Sequence, residues 1–228
     1  MKKFYRAIIL LAVLIFLTTY NPIQFNSKLK KNDNFFKINN IVILNNHIVN
    51  DKEIKKKLKS IYNKNIIFVK KSDIKKSLIS VDFLDKFEVK KKYPDTIIIK
   101  IYETKPIAIL FINNRKFIVD SASNLILYNE NKQYDDLPNI FGEVDSKKFI
   151  NFFNKLEIEN FPIKKVKNFY YFQIDRWDLQ LTNNKIIKFP SSDLEKAIKK
   201  SVELLSHKDF ENYNIIDLRI DGKVIVEK

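Results

Sequence analysis

YPDTIIIKIYETKPIA, residues 93–108, holds the plainest structural statement in the chain. Tyr93-Pro94-Asp95 is a turn, because proline presets φ and aspartate bonds its own backbone. Ile97, Ile99 and Ile101 then recur with the period of two that puts them on one face of a strand. Glu103-Thr104-Lys105-Pro106 ends it, since Pro106 cannot donate to a ladder. Upstream, Phe87 and Val89 alternate with charges as the strand leading into the turn. Ile38, Ile41, Val42, Ile43 and Leu44 form an earlier strand, closed by Asn45-Asn46. Asn50 precedes Asp51 and Glu53 as a helix cap, and Ile54, Leu58 and Ile61 follow at helical spacing. Ile66–Val69 is a short buried run. A second helix is expected from Ser72-Asp73, with Ile74, Leu78 and Val81 inward. Strand, two helices and two strands within residues 36–105 make a compact α+β unit.

Residues 106–228 read as a mainly β domain with one or two helices. Ile107–Ile112 and Lys116–Val119 flank the turn Asn113-Asn114, and Ser121–Asn124 turns into Leu125–Tyr128. Asn129–Asp136 is a polar loop, followed by Leu137-Pro138. A helix is expected over Ser146–Leu156 with Phe149, Phe152, Phe153 and Leu156 inward. Two or three strands lie between Val166 and Phe189, one of them the alternating Trp177–Leu181, with Asn183-Asn184 as a hairpin turn. Ser191-Ser192-Asp193 caps a helix to about His207 that turns Leu194, Ile198, Val202 and Leu205 inward. Ile215–Ile220 and Lys223–Val226 close the chain as a hairpin about Asp221-Gly222, the strongest short-range hairpin pair.

At the other end, Ala7, Ile8, Ile9, Leu10, Leu11, Ala12, Val13, Leu14, Ile15, Phe16 and Leu17 form an unbroken apolar run behind Lys2, Lys3 and Arg6. With its flanks to Ile23 it reaches the ~20 residues that a membrane-spanning helix needs. Bulky Thr18-Thr19-Tyr20-Asn21-Pro22 lacks the small-x-small site of a cleaved signal peptide. The expectation is a single-pass anchor over 6–24, a cytoplasmic end at 1–5, a linker at 25–35, and everything beyond exported under the positive-inside rule.

Composition removes most chemistry. No cysteine is present, which excludes disulfides, thiolate metal sites and a cysteine nucleophile. Two glycines, Gly142 and Gly222, leave no glycine-rich phosphate loop. His47 and His207 have no metal-site spacing. Asp82, Asp85, Asp135 and Asp136 read as solvated acids, and Ser121-x-Ser123 has no nucleophile elbow or base. Trp177, on an alternating strand, reads as a core anchor. No catalytic, cofactor or metal residue is expected. The net charge of +15 comes from lysines dispersed along the chain. That pattern is a basic solvated surface with attraction to anionic headgroups or wall polymer, not a nucleic-acid site.

The segment 93–108 resembles the signature of the bacterial FtsQ/DivIB cell division family. There it closes a POTRA domain, the α+β unit read above. Asn50–Ile54 resembles that domain's first-helix start, and Phe68-Val69 the run before its second helix. Asp120 with the Ser121–Asn124 turn, Leu137-Pro138-x-x-x-Gly142, Trp177-x-Leu179-x-Leu181 and Ile216-Asp217-Leu218-Arg219 fall in the family's order. Two departures are Asn124 where glycine is usual and Ile220 where tyrosine often follows. The resemblance implies a non-enzymatic scaffold of the divisome in the inner (plasma) membrane, enriched at the septum, with its bulk periplasmic. It links early and late division proteins, with FtsB and FtsL as partners of the β domain and FtsK, FtsW and FtsI as further ones. The candidate partner-binding residues are Arg176, Arg219, Ile220, Lys223, Val224, Ile225, Val226 and Glu227, with the final strand as a free edge for strand addition. The alternatives are a POTRA-bearing outer-membrane assembly or secretion factor and an exported wall enzyme. The first would need a barrel elsewhere, and the second a catalytic constellation.

Overall fold

A computed structural model describes residues 2–19, 35–129, 134 and 136–228. The expected linker up to residue 34, residues 20–24 of the expected anchor, and most of the loop 129–136 lie outside the described residues. The chain divides into two compact units, Met1–Val81 with Phe87–Ile101, and Asp82–Lys86 with Tyr102–Lys228.

The apolar run is helical, α1 (Lys2–Thr19), and its side chains from Phe4 to Leu17 are exposed. Eighteen residues rise about 27 Å, but Lys2, Lys3 and Arg6 occupy the first turns. Among the described residues, no helix is long and apolar enough to cross a membrane.

The first unit has the expected element order. A three-stranded sheet runs β1 (Asn40–Leu44), β3 (Thr96–Glu103), β2 (Leu84–Lys92), with β1 parallel to β3. The ends of β2 and β3 cluster with the second unit. Ile41 pairs with Ile97 and Ile43 with Ile99, so the alternating isoleucines of both strands share one buried face. Asn45 closes β1 at φ 64, a left-handed conformation that asparagine tolerates. Over the buried face lie α2 (Asp51–Lys57) and α3 (Lys71–Leu78), which bring in Ile54, Ile74 and Leu78. Asn50 caps α2 by accepting the Lys52 N–H at 2.8 Å. The second helix starts at Lys71 and not Ser72, because Asp73 reaches back to accept the Lys70 N–H at 2.9 Å.

In the second unit a nine-stranded sheet runs β12-β11-β10-β9-β8-β7-β4-β5-β6 among the described residues. The strands are β4 (Pro106–Ile112), β5 (Arg115–Asp120), β6 (Leu125–Leu127), β7 (Asn139–Phe141), β8 (Val166–Phe172), β9 (Arg176–Leu181), β10 (Ile186–Lys188), β11 (Ile215–Asp217) and β12 (Ile225–Glu227). Two parallel crossovers carry the helices. The connection β7–β8 holds α4 (Ser146–Ile158) and β10–β11 holds α5 (Leu194–Ser206). Phe149, Phe152 and Phe153 of α4 pack with Phe169, Trp177, Ile187 and Phe189, and Phe152 stacks on Trp177 at 4.6 Å. Each such side chain contributes ~2 kcal/mol on burial.

Asparagine substitutes for glycine in the turns. Asn113, Asn114, Asn160 and Asn184 all have positive φ. Gly142 is different: at φ 108, a Cβ there would collide with the Tyr171 carbonyl. Asp120 is fully buried at the β5–β6 turn. It accepts from Thr104 Oγ1 at 2.7 Å, Asn124 Nδ2 at 2.9 Å, and the N–H groups of Ala122 and Asn124 at 3.0 and 2.7 Å. Ser123, at φ 64, is the residue that takes the left-handed position. Position 124 is therefore free to hold an asparagine, whose amide feeds the buried carboxylate.

Several expectations need correction. β7 was not anticipated, because its three residues are too few to show a period. The final hairpin is wider than a two-residue turn: Lys223 N–H does bond Ile220 O at 3.1 Å around Asp221-Gly222, but pairing resumes only at Asp217 with Ile225. Strand β12 is therefore Ile225–Glu227, and Lys223 and Val224 belong to the loop. Asp193 precedes α5 in a left-handed conformation and makes no side-chain cap bond. Its helix turns Leu194, Ile198, Val202 and Leu205 against the core as expected, and buries Ala197, Ser201 and Leu204 with them. Ser201, fully buried, satisfies its hydroxyl on Ile198 O at 2.7 Å.

Candidate partner-binding edge

Strand β12 ends the sheet, paired with β11 on one side and with no other described strand. The direction of its free hydrogen-bonding groups follows from the ladder. Ile186 N–H bonds Asn214 O, and Leu218 N–H bonds Lys188 O, so Ile216 and Leu218 turn their backbone groups toward β10. Ile215 and Asp217 therefore turn theirs toward β12, where they oppose Glu227 and Ile225. Residues 225 and 227 spend their amides on β11, and Val226 points its N–H and C=O to the open edge. The Val226 side chain, with Val224, packs against the core.

Beside this edge the open sheet face carries a row of charges. Asp178 on β9, Lys188 on β10 and Asp217 on β11 are direct cross-strand neighbours, and Ile225 continues the row to the edge. Arg219 grips Asp217 with its Nε and Nη2 atoms at 2.9 and 2.5 Å, and its own N–H adds a bond at 3.0 Å. Burial pulls the Asp217 carboxyl upward, but the Arg219 hydrogen bonds outweigh it and hold it below its ordinary value. Asp178 goes the other way. Burial raises its carboxyl, against the pull of Arg176, Lys188 and Arg219. Arg176 Nε lies 3.4 Å from Asp178 Oδ1, an ion pair without a hydrogen bond, and both buried atoms lack a hydrogen-bond partner. The Arg176 guanidinium also sits 4.1 Å over the Phe172 ring.

The two carboxyls give opposite pH responses. Asp217 is lowered in the fold, so its contribution is full above the unfolded carboxylate range and lost as pH falls through its folded pKa. Asp217→Asn is expected to lower stability by about 1–2 kcal/mol at pH 7, and the gap should close as pH falls below about 4. Denaturant melts of both proteins from pH 7 to 3 measure it. A gap independent of pH would mean that the carboxylate charge plays no part.

The sequence reading brought Arg176 and Arg219 forward, and the structure places them around one charged row. Ile220, 50% exposed, and Lys223 lie in the loop at its end. Ile225 and Glu227 are exposed on β12 itself. Reasoning from sequence named Asp217 only within the Ile216–Arg219 motif and did not single out Asp178 or Lys188. The alternation of Trp177, Leu179 and Leu181 does assign Asp178 to the open face, but not the crowding that buries it there. Among the described residues, no group of three His, Asp or Glu could hold a metal ion.

On the loop side, a groove of about 400 Å³ separates α5 from residues 218–224, floored by Ala197, Leu218 and Val224. Lys196 crosses it to Asp221 at 2.9 Å. Lys185, buried behind this corner, donates from its ammonium to the carbonyls of Phe210, at 2.7 Å, and Tyr213. It fixes the segment that delivers Ile215 to the ladder. Burial lowers its pKa.

Sequence comparison places these features in a family. Residues 36–104 match the profile described as "POTRA domain, FtsQ-type". Residues 108–219 match "Cell division protein FtsQ/DivIB, C-terminal". The chain is 31% identical over 201 residues to the cell division protein FtsQ of Rickettsia felis, covering 85% of this chain and 73% of that one. The chain belongs to the FtsQ/DivIB family. The FtsQ of Rickettsia conorii is equally similar, 31% identical over 199 residues with the same coverage. A solved DivIB extracytoplasmic domain from Geobacillus stearothermophilus covers 47% of this chain and 89% of its own, at 13% identity. Its TM-score of 0.30 is too low to bear on the fold. FtsQ/DivIB proteins are non-enzymatic division scaffolds, and the POTRA and C-terminal β units described above are the family's two domains.

Proposed function

We propose that this FtsQ/DivIB chain is a single-pass septal membrane scaffold whose β12 edge accepts a strand from a divisome partner. Its domains are taken as residues 1–5 cytoplasmic, 6–24 anchor, 25–35 linker, 36–105 POTRA and 106–228 C-terminal. The observation that carries the reading is the outward Val226 backbone beside the Arg176–Asp178–Lys188–Asp217–Arg219 row. A paired strand would supply main-chain bonds, and the row would orient charged residues flanking it. FtsB and FtsL are the proposed partners at this edge, with FtsK, FtsW and FtsI elsewhere in the complex. The anchor reading is supported by the exposed apolar surface of α1 from Ala7 to Leu17. Its extension through residues 20–24 rests on the sequence.

A fluorescent fusion of the full chain tests this in dividing cells. Midcell enrichment that survives in the intact chain and is lost when residues 7–17 are replaced by a cleavable leader is the expected result. Even distribution around the envelope would contradict the scaffold reading.

A further inference from the structure

The first unit presents an apolar pair that its own core does not use. Ile66 and Val69 are buried, yet Ile67 and Phe68 between them are 47% and 75% exposed. Three hydrogen bonds shape the turn that carries them. Asn65 Oδ1 accepts the Ile67 N–H at 2.9 Å, Asn65 O accepts the Phe68 N–H at 3.1 Å, and Lys91 Nζ ties the Ile67 carbonyl to β2 at 2.9 Å. Lysines surround the turn: Lys64, Lys70 and Lys71 flank it in sequence, and Lys91 touches it. The single acid between residues 64 and 76 is Asp73, whose carboxylate is engaged by the Lys70 N–H.

We infer that the Ile67–Phe68 turn and its lysines are a contact for an anionic bilayer surface. Two apolar side chains on this turn suit the boundary between headgroups and acyl chains, while ammonium groups match lipid phosphates. An exposed apolar patch rimmed by cations marks an interaction site, and its charge selects an acidic occupant. The inference rests on the anchor reading above. Residues 20–34 can extend at most ~50 Å between α1 and Phe35, so an anchored chain keeps the turn close to the bilayer and a weak contact suffices.

The chain has no native cysteine, so single-site labelling is direct. The full chain in nanodiscs would carry a fluorophore at Ser72→Cys, exposed beside the turn, or at Ser192→Cys in the second unit as control. Discs of neutral phosphatidylcholine, with or without 30% phosphatidylglycerol, would contain a lipid-phase quencher. We expect quenching at position 72 at least threefold greater with phosphatidylglycerol, abolished by 0.5 M salt or by Phe68→Ser with Lys70→Glu and Lys71→Glu, and no lipid dependence at position 192. Unchanged melting of the variants would keep the readout tied to the surface. Equal quenching in neutral and anionic discs would overturn the inference, as would protection of position 72 by added polyglutamate but not by lipid, which assigns the patch to an acidic polypeptide. Loss of the chain from the discs in high salt would instead sink the anchor reading.

Discussion

Asp120→Ala is expected to lower the stability of the C-terminal domain by about 3 kcal/mol, a fall of roughly 10 °C in melting temperature for a unit of this size. The carboxylate receives four donors and no cation. Removing it leaves the buried Thr104 hydroxyl, the N–H groups of Ala122 and Asn124 and the Asn124 amide without their shared acceptor. Asp120→Asn keeps one acceptor oxygen and should cost about half as much. Thermal melts of the two variants decide the point. If Asp120→Ala melted within 2 °C of the parent, the network would not be a determinant of the turn.

The second large effect concerns binding. Val226→Pro deletes the one β12 N–H that points away from β11, so it should abolish partner-strand capture, at least 100-fold in affinity for FtsB, with a modest loss of stability. Ile225→Pro deletes an amide already spent on Asp217 and should destabilise the edge itself. A proline at Val224 interrupts no pairing, because that residue lies in the loop, and should bind nearly as the parent does. Pull-down affinity with melting curves separates the three. Retained binding in Val226→Pro would refute strand addition at this edge.

What the sequence made legible follows from how local the cause is. Ile97, Ile99 and Ile101 announce their strand because burial on one face demands period two, and the Asn50 cap needs only its next few residues. The β4–β5 hairpin was equally readable, since Asn113 and Asn114 both accept positive φ. Features set by distant partners were not. Lys185 looks like a surface lysine until residues 210–213 fold over it. Asp178 and Asp217 look solvated until β10 brings Lys188 between them. The face of α5 was legible from its apolar spacing, because Leu194, Ile198, Val202 and Leu205 all pack against the core; the burial of small Ala197 and Ser201 beside them was not. The free edge was half legible. Position at the chain's end suggested it, but which residues pair, and which amide points outward, depends on the parallel register of β10 with β11.

The most direct measurement is hydrogen exchange at the Val226 amide, in the full chain with and without FtsB. Capture of a strand at β12 predicts exchange slowed at least tenfold at Val226, with Ile225 and Glu227 already protected in the free protein. Binding of FtsB that leaves Val226 exchanging at its free rate would place the partner elsewhere and contradict the account.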